Sequence, residues 1–146
     1  MIDLIWPLAG LFVIAFASAT LLWGGSEAAL LAMAALADFS LMTLLIVASI
    51  GNILGSVLNY GLGRLALRYR DHKWFPVSRA ATDKSVDWFN KWGQWSVLLA
   101  WAPVIGDPIT VAAGALRMNF MRFLLLVSIS KTVRYMAALG AFSLVA

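Results

Sequence analysis

Long apolar stretches separated by short polar breaks dominate the first half of the chain. Residues 4–26 and 39–63 contain no charged residue, and an uncharged apolar stretch of 18 or more residues is typical of a membrane helix. Residues 27–37 form only about three helical turns, roughly 16 Å, which is too short to cross the ~30 Å hydrocarbon core. The pattern predicts a long helix over 4–22, a glycine-containing break, a short returning helix and a spanning helix.

The same order of elements returns in the second half. Residues 92–102 are apolar, a break that contains Pro103 and Pro108 follows, residues 109–116 form a short apolar stretch, and residues 123–146 are long enough to span. Each proline lacks a backbone donor and disfavours a continuous helix. In each half, a long arm, a tip and a short returning arm predict a re-entrant hairpin, which one transmembrane helix follows.

The predicted fold class is therefore an all-α polytopic membrane protein with a single domain, residues 1–146. Repeat 1 covers about 4–63, a cytoplasmic amphipathic linker covers 64–91, and repeat 2 covers about 92–146. A hairpin returns to the side it entered and the next helix crosses, so the second hairpin enters from the opposite side, as in many inverted-repeat transporters. The two opposed hairpins are expected to meet at mid-membrane, with both termini outside the cytoplasm. A complete span by the first apolar stretch is the alternative.

The distribution of basic residues supports this topology. Seven of the 11 Lys and Arg residues lie in 64–91 and none lies in 1–63, which is the bias of cytoplasmic segments. Aromatic residues mixed with these cations favour an amphipathic helix at the lipid headgroups, and a solvated linker is the alternative. Because the cations flank an apolar span instead of covering a soluble face, nucleic-acid binding is not expected.

Composition excludes several classes of function. The chain is 62% hydrophobic and 12% charged, whereas soluble domains carry about 25% charged residues. It contains no cysteine, so disulfides, thiolate metal sites and cysteine nucleophiles are excluded. A serine hydrolase needs a base, and the single histidine lies in the polar linker. Neither enzyme activity nor a metal or other cofactor is expected.

Four ionisable residues lie at membrane depth in the predicted arrangement: Glu27, Asp107, Lys131 and Arg134. Unpaired, they would cost on the order of 10–14 kcal/mol. Glu27 and Asp107 are 80 positions apart and open similar segments, while Lys131 and Arg134 share one helix face. We expect these residues to surround a polar cavity, where the carboxylates bind protons or a headgroup and the cations bind an anionic headgroup. A purely structural cluster of salt bridges is the alternative.

Three further residues are candidates for lining this cavity. Asn52 and Asn59 are seven positions apart on one helix face, and hydrogen bonding between helices is an equally weighted alternative for them. Arg117, which follows the second short helix, is the third candidate.

Five segments of the chain carry a resemblance to a known family. They are residues 18–27, 51–64, 101–107, 113–118 and 131–135. Their order and spacing resemble the DedA family, also called the VTT or SNARE-associated Golgi protein domain, and most of all its short YqaA-like branch. The resemblance implies two opposed re-entrant hairpins in the bacterial inner membrane and a role in lipid movement. It also implies that acidic residues near the hairpin tips matter, and Glu27 and Asp107 are the matching positions.

One departure from the family pattern affects the site. Many members carry arginines three residues before and three residues after the proline of the second hairpin, where this chain has Ala100 and Gly106. Lys131 and Arg134 are therefore assigned to headgroup binding by physical argument, not by correspondence.

The expected function is movement of lipid or polyprenyl phosphate across the inner membrane, with proton coupling. The expected partners are phospholipid or undecaprenyl phosphate and protons, and a homo-oligomer is left open. The alternatives are an ion or small-solute/proton antiporter and a non-transporting membrane assembly or homeostasis factor.

Overall fold

The chain is helical throughout almost all of the described part of its structure, a computed structural model that describes residues 2–20, 25–36, 39–69, 79–102 and 106–145. The elements are α1 (Ile2–Thr20), α2 (Gly25–Leu36), α3 (Leu41–Tyr69), α4 (Arg79–Trp92), a 3₁₀ helix (Gly93–Trp101), α5 (Gly106–Ala115) and α6 (Phe120–Val145). The all-α prediction is confirmed. Parts of the two predicted hairpin tips (23–24 of the break at 23–27, and 103–105 of the break at 103–108), residues 21–22 of the predicted first helix and the linker residues 70–78 lie outside the described residues.

Three helices are long and apolar enough to cross a membrane: α1, residues 41–65 of α3, and α6. By contrast, α2 has 12 residues and α5 has 10, which is too short for a span. The two predicted short helices are therefore present. With 19 residues, α1 is long enough to span by itself, which is the alternative that the sequence left open.

Two boundaries differ from the sequence-based prediction. Helix α3 continues beyond the predicted end at 63 to Tyr69, because residues 64–69 contain good helix formers and no glycine or proline. The predicted apolar arm at 92–102 is a 3₁₀ helix. Gly93, which separates it from α4, has a φ of 62°, a value that glycine adopts without steric cost. The chain therefore changes direction there, and the amphipathic helix occupies 79–92, the last part of the predicted linker and one residue beyond it.

Helix α3 lies against α1 through two glycines. A Cβ atom built on Gly51 would lie 2.6 Å from the carbonyl oxygen of Phe12, and one built on Gly55 would lie 2.7 Å from that of Phe16. Small residues four apart permit this close approach of two helix backbones.

The same helix contacts α5 further along its length. A Cβ atom on Gly63 would collide with the carbonyl oxygen of Val111, and one on Gly114 would collide with that of Tyr60. The backbone of α3 is thus in close contact with the backbones of two other helices. These are α1, the long helix of the first half, and α5, the short helix of the second half.

Two clusters of buried side chains form the interior. One combines α3, the 3₁₀ helix, α5 and the first half of α6, with Phe123 and Val127 fully buried. The other combines α1, α2, α3 and the second half of α6, with Leu11 and Leu30 buried in it. Because α6 enters both clusters, its side chains between them contact both short helices.

Candidate functional site

The two acidic residues selected from the sequence occupy equivalent places in the structure. Glu27 lies in the first turn of α2, and Asp107 lies in the first turn of α5. The first turn of a helix exposes backbone N–H groups and carries the positive end of the helix dipole, which favours a carboxylate there. Each short helix therefore stabilises negative charge at its start.

Helix α6 supplies a cation to each carboxylate. The Lys131 Nζ atom lies 3.2 Å from Asp107 Oδ1 and donates a hydrogen bond to it. The guanidinium of Arg134 forms an ion pair with Glu27 Oε1. The structure thus brings together the four ionisable residues chosen from the sequence, as two ion pairs on one face of α6.

The two ion pairs differ in their exposure. The side chain of Lys131 is 2% exposed and that of Asp107 is 27% exposed, whereas the side chains of Arg134 and Glu27 are each 22% exposed. A buried cation without a partner costs several kcal/mol, so Lys131 depends on Asp107. Arg134 reaches the surface and has donors that one carboxylate does not use, because a guanidinium carries five N–H groups.

Sequence reasoning did not single out the polar contacts next to the Glu27–Arg134 pair. The buried Tyr135 hydroxyl donates a hydrogen bond of 2.9 Å to Ser26 Oγ, and Asn52 also lies near this hydroxyl. Ser26 directly precedes Glu27 in the sequence, and Tyr135 directly follows Arg134. This adjacency is the signal that would have marked both as residues of the site. The bond joins α2 to α6 a second time and orients the start of α2.

The two asparagines proposed as cavity-lining residues make hydrogen bonds between helices. Asn52 Nδ2 donates to the carbonyl oxygen of Ala15 at 3.0 Å, and Asn59 Nδ2 donates to that of Ala19 at 2.6 Å. Both side chains are buried. This geometry corresponds to the alternative that the sequence left open for them, an interhelical role.

Arg117 lies apart from the two ion pairs. It is exposed, has a φ of 55°, and lies in the turn after α5, where its backbone N–H donates to the carbonyl of Gly114. The described hydrogen bonds and salt bridges do not join its side chain to the four charged residues.

The structure leaves little room for a long side chain at Ala100 or Gly106, the two positions where the sequence departs from the expected arginines. Ala100 is fully buried, and a Cβ atom on Gly106 would collide with the carbonyl oxygen of Ala100. These positions are in backbone contact, so a long side chain at either one would displace the start of α5. Within the described residues, no group of three His, Asp or Glu side chains that could hold a metal ion is present.

Comparison with known proteins gives consistent matches along the chain. The family model of the VTT domain matches residues 26–144. An uncharacterized protein of Haemophilus influenzae is 35% identical over 136 residues, which cover 88% of this chain and 83% of that protein. The inner membrane protein YqaA of Escherichia coli is 33% identical over 134 residues, which cover 92% of this chain and 89% of YqaA.

A more distant relative has a name that describes its substrate. Undecaprenyl phosphate transporter A of Staphylococcus aureus is 31% identical over 109 residues, which cover 69% of this chain and 54% of the transporter. No solved structure matches the chain.

Proposed function

Because this chain belongs to the VTT domain family, and so to the DedA family that its sequence resembles, we propose that it moves lipid or polyprenyl phosphate across the bacterial inner membrane. A transporter-like role in a membrane is supported by its three apolar helices and by its family membership. The finer assignment to a phosphate-bearing lipid is supported by the name of the Staphylococcus aureus relative, an undecaprenyl phosphate transporter.

The observation that carries the proposal is the pairing of both carboxylates with cations on one face of α6. Structural stability alone does not require two ion pairs in an apolar bundle, because well-packed apolar residues often stabilise a protein as well or better. Ionisable residues within a membrane commonly mark the path of a charged substrate. Arginine is suited to phosphate because its planar guanidinium forms two parallel hydrogen bonds.

The proposed coupling to protons rests on Glu27 and Asp107. Both carboxylates lie among apolar helices, and each forms an ion pair with a cation of α6. Ionisable residues within a membrane form proton relays in pumps and transporters, and this is the role we assign to the two carboxylates.

The proposed topology is an inverted repeat of a hairpin and a spanning helix. Its support is the spacing of the elements: Glu27 and Asp107 are 80 positions apart, and α3 and α6 begin at residues 41 and 120, nearly the same distance. The proposed cytoplasmic location of residues 64–91 is supported by their seven Lys and Arg residues, the bias of cytoplasmic segments. Location in the inner membrane is supported by the name of the Escherichia coli relative.

The experiment that tests the function is a translocation assay in proteoliposomes, with headgroup-labelled phospholipid or undecaprenyl phosphate and with or without a pH gradient. The native chain is compared with Glu27→Gln and Asp107→Asn, and Asp87→Asn, which changes an exposed carboxylate on α4, is the control. We expect the native chain and the control to move lipid and both site variants to lose movement per folded molecule. Because Asp107→Asn leaves Lys131 without its partner, all variants are compared at equal amounts of folded protein. Ion flux without lipid movement would instead identify an antiporter, and the absence of both would favour an assembly factor.

A further inference from the structure

An apolar groove of about 340 Å³ runs between the 3₁₀ helix and α6. One wall comes from Leu98 and Trp101, and the other comes from Ile129, Val133 and Ala137. Ser130 closes the base, because its hydroxyl donates a hydrogen bond of 2.9 Å to the carbonyl oxygen of Leu98. Arg134 belongs to the same lining and is its charged member.

The walls of this groove face outward. Trp101, Ile129 and Val133 are about half exposed, at 51%, 48% and 56%. They belong to, or lie against, a helix long and apolar enough to span the membrane, so their exposed surfaces meet lipid chains instead of water. The groove therefore opens sideways toward the hydrocarbon of the bilayer, and its natural occupant is itself a hydrocarbon chain.

The position of Arg134 restricts the class of that chain. A cation in the lining of an otherwise apolar groove favours an occupant with an anionic group at one end. An uncharged chain would fill the apolar walls but would offer the guanidinium no anionic partner. Among the described residues Arg134 forms its ion pair with Glu27, and a guanidinium has five N–H donors, more than one carboxylate uses, so the others can meet a phosphate.

We propose that this lateral groove binds the hydrocarbon chain of a phosphate-bearing lipid while Arg134 holds its phosphate. The inference rests on the proposed function and specifies where that substrate enters. The volume lies at the low end of the range for ligand sites, about 300–1,000 Å³, so the groove holds a section of one chain and the rest of the lipid stays in the bilayer.

The test is photocrosslinking in proteoliposomes with diazirines placed in the chain of undecaprenyl phosphate and, separately, in an acyl chain of phosphatidylglycerol. Undecaprenol with the same diazirine serves as the probe without phosphate. Ala137→Trp fills the groove, and Ala141→Trp is its matched control, because Ala141 is an exposed alanine one turn further along α6 that does not line the groove. Ile129→Trp is a second filling variant.

We expect phosphate-bearing probes to label residues 98–101 and 129–137, and this labelling to fall about tenfold or more in both filling variants but not in the Ala141→Trp control. Loss of a charge-assisted hydrogen bond weakens binding by about tenfold or more, so undecaprenol should label correspondingly less. The double variant Glu27→Gln/Arg134→Gln, which leaves no unpaired charge, should remove the preference for phosphate. The probe that labels more strongly identifies the lipid class.

Labelling elsewhere on the bundle, or labelling that is unchanged in folded Ala137→Trp and Ile129→Trp, would overturn the groove assignment. Translocation is measured in the same vesicles, so the two proposals are separable. Lipid movement without groove labelling overturns only the groove. Phosphate-dependent groove labelling without lipid movement keeps the binding site and overturns the transport function.

Discussion

Lys131 and Arg134 lie one helical turn apart on α6, yet each pairs with a carboxylate from a different half of the chain. Lys131 contacts Asp107 of α5, and Arg134 contacts Glu27 of α2. A displacement of α6 that lengthens one ion pair therefore alters the position of the other. This geometry links the starts of the two short helices through a single rigid element.

The buried pair should behave as a unit in stability measurements. We expect Lys131→Met to lower the free energy of unfolding by about 3 kcal/mol, because it leaves Asp107 without its cation. The double variant Lys131→Met/Asp107→Asn removes both charges and should recover most of this loss. Reversible unfolding in mixed detergent micelles measures the difference. An equal loss in the single and double variants would show that the loss does not come from an unpaired Asp107.

The contact between α3 and α5 should depend on the absence of a side chain at Gly63. We expect Gly63→Ala to destabilise the protein by about 1–3 kcal/mol, the usual cost of overpacking, since its Cβ atom would collide with the Val111 carbonyl. Gly61→Ala is the matched control: a Cβ atom there meets nothing within 4 Å, and alanine is favoured over glycine in a helix by about 1 kcal/mol. Thermal unfolding of the two variants measures the difference. Equal stability of Gly63→Ala and Gly61→Ala would contradict this packing.

The role of Asn59 is separable from transport. If its contribution is the hydrogen bond to Ala19, Asn59→Leu should lower stability by about 1 kcal/mol and leave the translocation rate per folded molecule unchanged. A cavity-lining role predicts the opposite result, a normal unfolding midpoint with slower translocation. Parallel unfolding and translocation assays on the same preparation decide between the two roles.

The topology is accessible to labelling because the chain contains no cysteine. We expect single cysteines at the exposed positions Asp3 and Asp83 to react with a membrane-impermeant reagent from opposite sides of the membrane. Residue 83 should be reached only from the cytoplasmic side. Reaction of both from the same side would contradict the inverted repeat and indicate that α1 crosses completely.

The sequence predicts the helices and the charged residues of the site better than it predicts how they pair. Long apolar stretches locate α1, α3 and α6, and short stretches with an acidic start locate α2 and α5, because membrane helices have strict length requirements and rarely contain charged residues. The periodicity of a helix also places Lys131 and Arg134 on one face. Which cation meets which carboxylate depends on the packing of α6 against two other helices, and that is a tertiary contact with no local signal.

Other details were not predictable for the same reason. The Tyr135–Ser26 hydrogen bond joins residues 109 positions apart. Their places beside Arg134 and Glu27 in the sequence mark them as neighbours of the site, but nothing local shows that they bond to each other. The 3₁₀ geometry of residues 93–101 was also missed, since an apolar run shows how hydrophobic a segment is but not how tightly its backbone is wound.

The 3₁₀ helix that forms one wall of the groove is longer than the same residues would be as an α-helix. It has nine residues, whereas 3₁₀ segments seldom exceed three or four. At about 2.0 Å per residue it is more extended than an α-helix, which rises about 1.5 Å per residue, so rewinding the segment as an α-helix would shorten it by about 4 Å. Such a contraction would carry Trp101 along the face of α6 without unfolding either helix. Rewinding these nine residues would thus move one wall of the lateral groove relative to the other.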